Sequence, residues 1–236
     1  MGSPSSHSQM SEEGEKHDSD VRQLYVNTLL GKWREVVKLY ETKPEVWSAE
    51  ITSSGDTALH LIIDEDKEDV LEKLLEIILK ADDGHHLRKV EALTKANEVG
   101  DTPLHRAAAI GSVKMCKSIV MAATELRLDG LLQVRNIWGE NPIFMAVLDN
   151  RKHAFIYLLV DSDIVEDKVL ISPLNGDTVL HCAILREHYG IRVDPLEYDD
   201  SVPTRTVPTR SSNLEYPPDN YQTCYQFLSI LRRGGT

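Results

Sequence analysis

The sequence predicts an all-α protein built from about five repeated helical units, the last of them incomplete. Three observations support this fold class. A short segment that begins with glycine recurs along the middle of the chain, and amphipathic runs of helical period follow the copies. Aromatic residues make up only 6% of the 236 residues, so the core is expected to be aliphatic. Such repetition is typical of a stacked array in which each unit packs on its neighbours.

The repeated segment is the most specific motif of the chain. A faint first copy ends at Tyr25, and the last residues of the five copies are 35, 45, 39 and 37 positions apart. The four clear copies are Gly55-Asp-Thr-Ala-Leu-His60, Gly100-Asp-Thr-Pro-Leu-His105, Gly139-Glu-Asn-Pro-Ile-Phe144 and Gly176-Asp-Thr-Val-Leu-His181.

Each residue type in this motif suits the start of a helix. Glycine allows the positive φ of a tight turn, threonine caps the helix, and proline fits the first helical position. The leucine faces the core, and the copy with Asn141 and Phe144 is expected to have a weaker cap. The structural motif residues are Gly55, Thr57, His60, Gly100, Thr102, Pro103, Leu104, His105, Gly139, Pro142, Gly176, Thr178, Leu180 and His181.

A second helix is predicted after a tight bend in each unit. Six residues after the copies come Gly31, Asp66, Gly111, Asn150 and Glu187, and the first four open a second amphipathic run. The clearest run has one apolar stripe formed by Val70, Leu71, Leu74, Leu75 and Ile78. Each unit is therefore predicted to comprise a turn, a helix, a bend, a helix and a loop of variable length.

The segment Gly100-Asp-Thr-Pro-Leu-His-Arg-Ala-Ala108 resembles the ankyrin repeat at every defined position, which implies an ankyrin-repeat solenoid. The uneven spacings, Gly31-Lys-Trp33 and the tail Tyr216-Pro-Pro-Asp-Asn-Tyr-Gln-Thr-Cys224 are similar to plant ankyrin proteins of the accelerated-cell-death and salt-intolerance type. That family usually carries a C-terminal membrane region with a Pro-Gly-Gly signature. Because this sequence stops at Gly234-Gly235-Thr236, we expect a truncated or alternatively spliced product without membrane anchoring of its own.

The ends of the chain differ from the repeated middle. Residues 1–20 carry five acids and one base without any Val, Ile, Leu or aromatic residue, which predicts a disordered tail. Residues 21–190 form the repeat array, and the Pro/Thr/Arg-rich segment 191–220 is predicted to be a flexible linker. Residues 221–236 are predicted to contain a helix. Either this helix folds back to cap the array, or it is a free helix or a disordered stub.

Composition limits the classes of partner and the cellular compartment that we expect for the protein. The net charge of −12 disfavours nucleic acid and anionic membrane surfaces as partners. No apolar run approaches the ~18 residues of a membrane helix, and the N-terminus lacks a secretory signal. Three widely spaced cysteines form neither a disulfide framework nor a zinc pattern, which favours the cytoplasm. The resemblance adds a peripheral position at the plasma membrane through family members.

The sequence predicts a non-catalytic protein-binding scaffold with no cofactor, because it contains no phosphate loop, dinucleotide fingerprint or nucleophile elbow. The recurring histidines are interpreted as hydrogen-bond partners of a neighbouring turn, with metal binding as the alternative. Partner binding is expected at turn tips and on an inner helix, where residues vary without harming the core. The candidates are Glu98, Val99, Asp101, Arg106, Ala109, Ile137, Trp138 and Glu140. Trp138 is either the anchor of a partner or packed on the neighbouring turn.

The resemblance implies a role in plant stress or defence signalling, in which the repeats recruit protein partners. The alternative is a regulator of membrane-anchored family members through homotypic association.

Overall fold

The computed structural model describes residues 6–161, and every regular element in that range is helical. The motif copy at 176–181, the linker 191–220 and the predicted helix within 221–236 lie outside the described residues. The helices are α1 (Ser6–Leu29), α2 (Trp33–Thr42), α3 (Ala58–Asp64), α4 (Glu68–Lys80), α5 (His86–Thr94), α6 (Pro103–Ile110), α7 (Val113–Glu125), α8 (Pro142–Leu148) and α9 (Lys152–Ile156). A π-helical turn, Tyr157–Asp161, follows α9, and 3₁₀ turns lie at Pro44–Val46, Asp83–His85 and Leu131–Gln133.

Eight of these helices form four pairs, which we number as units one to four: α1 with α2, α3 with α4, α6 with α7, and α8 with α9. The first helices of successive units pack on one another in an inner layer, and the second helices do so in an outer layer. A single hydrophobic cluster runs between the layers, and Leu24, Leu59, Leu104 and Ile143 are fully buried in it. The all-α fold class predicted from the sequence is therefore confirmed.

The bend between the two helices of each unit has the same backbone geometry. Gly31, Asp66, Gly111 and Asn150 all have positive φ, between 54° and 88°. Glycine, asparagine and aspartate are the residues that tolerate this left-handed conformation best. In three of the bends, the N–H of the residue after the bend donates to a carbonyl of the first helix. An example is the N–H of Lys67, which donates to the Ile62 carbonyl (3.1 Å). The recurrence six residues after each motif thus marks the helix C-termini.

The N-terminal helix is longer than the sequence predicts. Disorder was expected up to residue 20, whereas α1 begins at Ser6, so that boundary lies inside a helix. No proline occurs between Pro4 and Pro44, and a helix extends from a packed end without a new nucleation step. The packed end is anchored by buried Leu24, and Asp20 pairs with Lys43 at 2.9 Å.

The long connection between the second and third units contains an extra helix, α5, where the sequence predicts only a loop. Lys89 on this helix is buried, and its ammonium group donates to the carbonyls of Leu79 (3.1 Å) and Ala81 (2.6 Å). Carbonyls at a helix C-terminus lack intrahelical donors. The lysine therefore satisfies the end of α4 and fixes α5 beside it.

Two tryptophans of the first unit pack against the hydrophobic core. Trp47 is buried and donates its indole N–H to the Tyr40 carbonyl (2.9 Å), while the Tyr40 hydroxyl lies 3.4 Å from the Trp47 carbonyl. Burial raises the pKa of the Tyr40 phenol well above its ordinary value. Trp33 is partly buried against the same core. Within the described part of the chain, none of the helices has the length and apolar character needed to cross a bilayer.

Candidate functional site: the projecting turns and the inner helices

Three turns project from the array, at residues 51–56, 97–101 and 136–140; the last two share one backbone geometry, and the first is one residue longer. Each is closed by a hydrogen bond from its first N–H to its last carbonyl, at 2.8, 3.0 and 2.9 Å respectively. Gly55, Gly100 and Gly139 lie at the same place in these turns with φ between 75° and 84°. A residue with a Cβ is strained in this conformation, so the glycine of the motif is required by the turn.

Successive turns are joined directly through their backbones. The N–H of Glu98 donates to the Ser54 carbonyl, and the N–H of Ile137 donates to the Val99 carbonyl, both at 2.9 Å. The approach is so close that a Cβ added to Gly100 would lie 2.8 Å from the Cα of Asn136. The three turns therefore form a ladder with fixed spacing, which we call the turn ladder.

Asparagine side chains reinforce the turn ladder. Asn97 donates from Nδ2 to the Asp56 carboxylate (2.8 Å), and Asn136 donates to the Asp101 carboxylate (3.1 Å). The Oδ1 atom of each asparagine accepts two backbone N–H groups of its own turn, as Asn97 does from Val99 and Asp101. One side chain thus shapes its own turn and holds the preceding one. The sequence interpretation missed this role, although asparagine recurs three residues before Gly100 and Gly139.

The histidines of the second and third units connect each helix start to the following turn. Nδ1 of His60 accepts the N–H of Thr57 (3.1 Å) and lies 2.9 Å from the Thr57 hydroxyl, while Nε2 lies 2.9 Å from the Asp101 carbonyl. Nδ1 of His105 likewise accepts the N–H of Thr102 (3.1 Å) and lies 2.8 Å from the Thr102 hydroxyl. Its Nε2 lies 3.2 Å from the Glu140 carbonyl. Since Nδ1 accepts an N–H and Nε2 faces a carbonyl, the proton is on Nε2 and the ring is neutral.

This geometry agrees with the direction of the pKa shifts. Burial lowers the pKa of His105 to about 4, and burial also lowers the pKa of His60. For Asp56, burial would raise the pKa, but hydrogen bonds from Asn97, Ser54 and Thr52 outweigh it and hold the pKa below its ordinary value. The turn ladder therefore combines neutral imidazoles with ionised, hydrogen-bonded aspartate.

The fourth unit starts its inner helix differently. Asn141 Oδ1 accepts the N–H of Phe144 at 3.0 Å, so the cap that the sequence predicts to be weaker is made by an amide instead of a hydroxyl. Asparagine is at least as good a cap as threonine. Phe144 has no polar side-chain atom, so it cannot accept the N–H of the cap residue or hydrogen-bond to a further turn. Its side chain is fully buried in the core.

The predicted partner-binding residues fall into two groups. Glu98, Ile137 and Trp138 are exposed at the tips, with Ile137 and Trp138 60% and 51% exposed, and Val99 and Glu140 are half-buried beside them. Trp138 thus leaves about half of its surface open to a partner, and its backbone N–H donates to Asn136 at 3.1 Å.

Three other candidates serve the connections between units. Asp101 is only 4% exposed because its carboxylate holds Asn136, so its expected availability at the tip is wrong. Arg106 is half-buried and reaches back to Asp56 (3.5 Å) and Asp64 (4.0 Å) of the second unit. Ala109 is half-buried, and its carbonyl accepts Arg151 Nε at 2.8 Å.

The described residues contain no cluster of three or more His, Cys, Asp or Glu side chains that could hold a metal ion. Comparison with protein-family models found no match, and comparison with curated proteins found none. The function is therefore inferred from the geometry of the turn ladder and of the inner helices beside it.

Proposed function

We propose that this chain is a non-catalytic protein–protein interaction scaffold whose partner docks on the tips of the turn ladder and on the adjoining inner helices. The observation that carries the proposal is the pair Ile137 and Trp138, which are exposed on a turn whose backbone is closed by its own hydrogen bond and joined to the preceding turn. Because the backbone of this turn is ordered before binding, a partner that covers its large aromatic side chain does not have to order the turn, and tryptophan is enriched among interface anchors.

The repeat architecture supports the same proposal. An ankyrin-repeat solenoid, as the motif Gly100–Ala108 suggests, would present these tips in a row. The ladder hydrogen bonds use backbone N–H and carbonyl groups, so the tip side chains Glu98 and Trp138 are free for recognition. By its resemblance to the plant family, the scaffold would recruit protein partners in cytoplasmic stress or defence signalling. A peripheral position at the plasma membrane would follow from binding to membrane-anchored relatives.

The proposal is tested by affinity capture with the full chain from a plant extract, using the wild type and Trp138→Ala. We expect Trp138→Ala to weaken partner binding by about 1–3 kcal/mol, the range of interface hot spots, while thermal unfolding remains cooperative. Met121→Ala is the matched control, because Met121 is exposed to a similar extent on the outer helix α7.

Two results would contradict the proposal. Capture of the same proteins at the same yield by wild type and Trp138→Ala would remove Trp138 from the interface. Loss of cooperative unfolding in Trp138→Ala would show that this residue stabilises the fold instead of binding a partner.

A further inference from the structure

The inner helices of units two to four present an apolar face beside the turn ladder. On each helix this face is formed by the residues one, four and five positions after the motif, a spacing that places them on one side of a helix. Because α3 packs on α6 and α6 packs on α8, the three faces adjoin one another. Their apolar members are all half-buried, so part of each stays accessible: Leu61, Ala109, Ile110, Met145 and Leu148.

Carboxylates lie close together where this face adjoins the turn ladder. The guanidinium of Arg106 is 3.5 Å from Asp56 and 4.0 Å from Asp64. Burial raises the pKa of Asp64, Arg106 lowers it, and the negative charges of Asp56, Asp101 and Glu65 raise it further. Four carboxylates are therefore within electrostatic reach of one guanidinium, which leaves an excess of negative charge here.

Acidic side chains also flank the exposed apolar residues of the tips. Glu98 is exposed on the second turn, and half-buried Glu140 on the third turn accepts Asn136 Nδ2 at 3.2 Å. A backbone hydrogen bond of 2.9 Å joins the turns that carry Glu98 and Trp138. Within the described residues, no lysine or arginine forms an ion pair with Glu65 or Glu98.

The other basic residues near this surface do not cancel its charge. Arg135 is half-buried and donates to the Gly139 carbonyl at 2.8 Å, and Lys95 pairs with Glu50 at 2.7 Å. The bends of units two and four carry as many bases as acids, namely Asp66, Lys67, Asp149 and Arg151. The negative excess is therefore on the side of the inner helices that faces the turn ladder.

The first unit does not share this surface. Its inner helix has Leu29 and Leu30 at the positions of Asp64 and Glu65, and both leucines are 61% exposed. Basic Arg22 is exposed on the same side of α1. The combination of apolar and acidic side chains therefore begins with the second unit.

We propose that the partner docks with a basic protein segment in which arginine or lysine lies beside large apolar residues. This inference rests on the function proposed above and names the chemistry of the partner. The apolar side chains would cover Ile137, Trp138 and the inner-helix face, and the basic side chains would face Glu98 and the carboxylates near Arg106. Opposite charges speed association and disfavour partners of the wrong charge, and a cation over an indole ring adds attraction.

The first test selects random short peptides on the immobilised full chain. Peptides that also bind the double variant Glu98→Lys with Trp138→Ala are discarded. The peptides that remain are expected to be enriched in arginine and lysine next to leucine or aromatic residues. Each of them should bind the single variant Trp138→Ala more weakly than the wild type.

The second test measures the affinity of a selected peptide by calorimetry. Glu98→Lys should weaken binding about tenfold, because it places a cation against the basic segment. Raising the salt from about 50 to about 300 mM should weaken binding to the wild type about threefold through screening. The matched control is Glu125→Lys, which changes an exposed acid on the outer helix of the same unit and should leave the affinity unchanged. Circular dichroism checks that both variants are folded.

The outcomes separate this inference from the proposed function. Peptides that depend on Trp138 but lack basic residues, or that ignore both salt and Glu98→Lys, would refute the basic segment and leave the docking site in place. Equal weakening by Glu98→Lys and Glu125→Lys would also refute it, because only the net charge of the chain would then matter. No enriched peptide, or peptides insensitive to Trp138→Ala, would refute the docking site and this inference together.

Discussion

The third and fourth units differ in how the start of the inner helix is connected to its neighbours. In the third unit, His105 accepts the N–H of Thr102 and also hydrogen-bonds to the Glu140 carbonyl of the fourth unit. In the fourth unit, Asn141 caps its helix, but Phe144 makes an apolar contact with the core. The same position thus serves either as a polar connection between units or as core packing. Helix capping and coupling between units are therefore separable functions of the motif.

Gly100→Ala is expected to weaken the contact between successive turns most strongly and to lower the free energy of unfolding by about 3 kcal/mol. The added Cβ meets positive φ and lies 2.8 Å from the backbone of Asn136, which cannot move as a side chain could. Urea unfolding of the full chain measures the loss. Gly130→Ala is the matched control, because Gly130 has φ +88° with open space around its Cβ position, so its loss should be about 1 kcal/mol. Equal losses at both sites would contradict the steric contact between turns.

Acid should weaken the second and third units through their histidines. The pKa of His105 is about 4 in the folded chain and about 6.5 when unfolded, and that of His60 is lowered in the same direction. The unfolded chain therefore takes up protons first. The contribution of these rings to stability is complete above pH 6.5 and is lost as the pH falls toward 4.

The loss of stability that acid is expected to cause through His105 is about 3 kcal/mol, measured as the free energy of unfolding against pH. The same profile for His105→Phe should be flatter between pH 6.5 and 4. His86→Phe, which changes an exposed histidine, should keep the wild-type slope. A wild-type slope in His105→Phe would refute the assignment.

His105→Phe converts the third unit to the arrangement of the fourth and should cost about 2 kcal/mol at neutral pH. The Thr102 N–H would lose its buried acceptor, which is expensive, while the Glu140 carbonyl would lose the imidazole and keep the Asn136 N–H. Chemical denaturation gives the difference. Stability equal to the wild type would mean that packing by Phe replaces the polar connection fully.

Asn141→Ala is expected to have the smallest effect, about 1 kcal/mol. The substitution removes the cap to the Phe144 N–H, and about 1 kcal/mol is the usual value of an N-cap. Asn141→Ser should be close to neutral because serine caps equally well. A loss as large as that of Gly100→Ala would show that Asn141 also couples units.

Sequence patterns predicted those features that depend on residues close together in the chain. The bends at Gly31, Asp66, Gly111 and Asn150 follow from a fixed distance to the motif, and each of them has a left-handed backbone in the structure. The helix starts follow in the same way, since cap and first turn are neighbours.

Features that depend on distant partners could not be predicted. Asp101 looked available at a turn tip, and its burial is set by Asn136, 35 residues later. Lys89 gave no sign of burial, because its partners are carbonyls at the end of another helix. The exposed face of α1 likewise follows from which neighbours its helix has, and its apolar spacing alone would have predicted a core contact.

The hydrogen bonds of the two histidines can form only in a fixed order while the chain is synthesised. The His60 imidazole donates to a carbonyl 41 residues further on, and that of His105 to one 35 residues further on. During synthesis from the N-terminus, each histidine therefore leaves the ribosome well before its acceptor. A nascent chain that ends before Asp101 holds the second unit without its forward contact. The second and third units can therefore be completed only when the turn of the following unit has been translated.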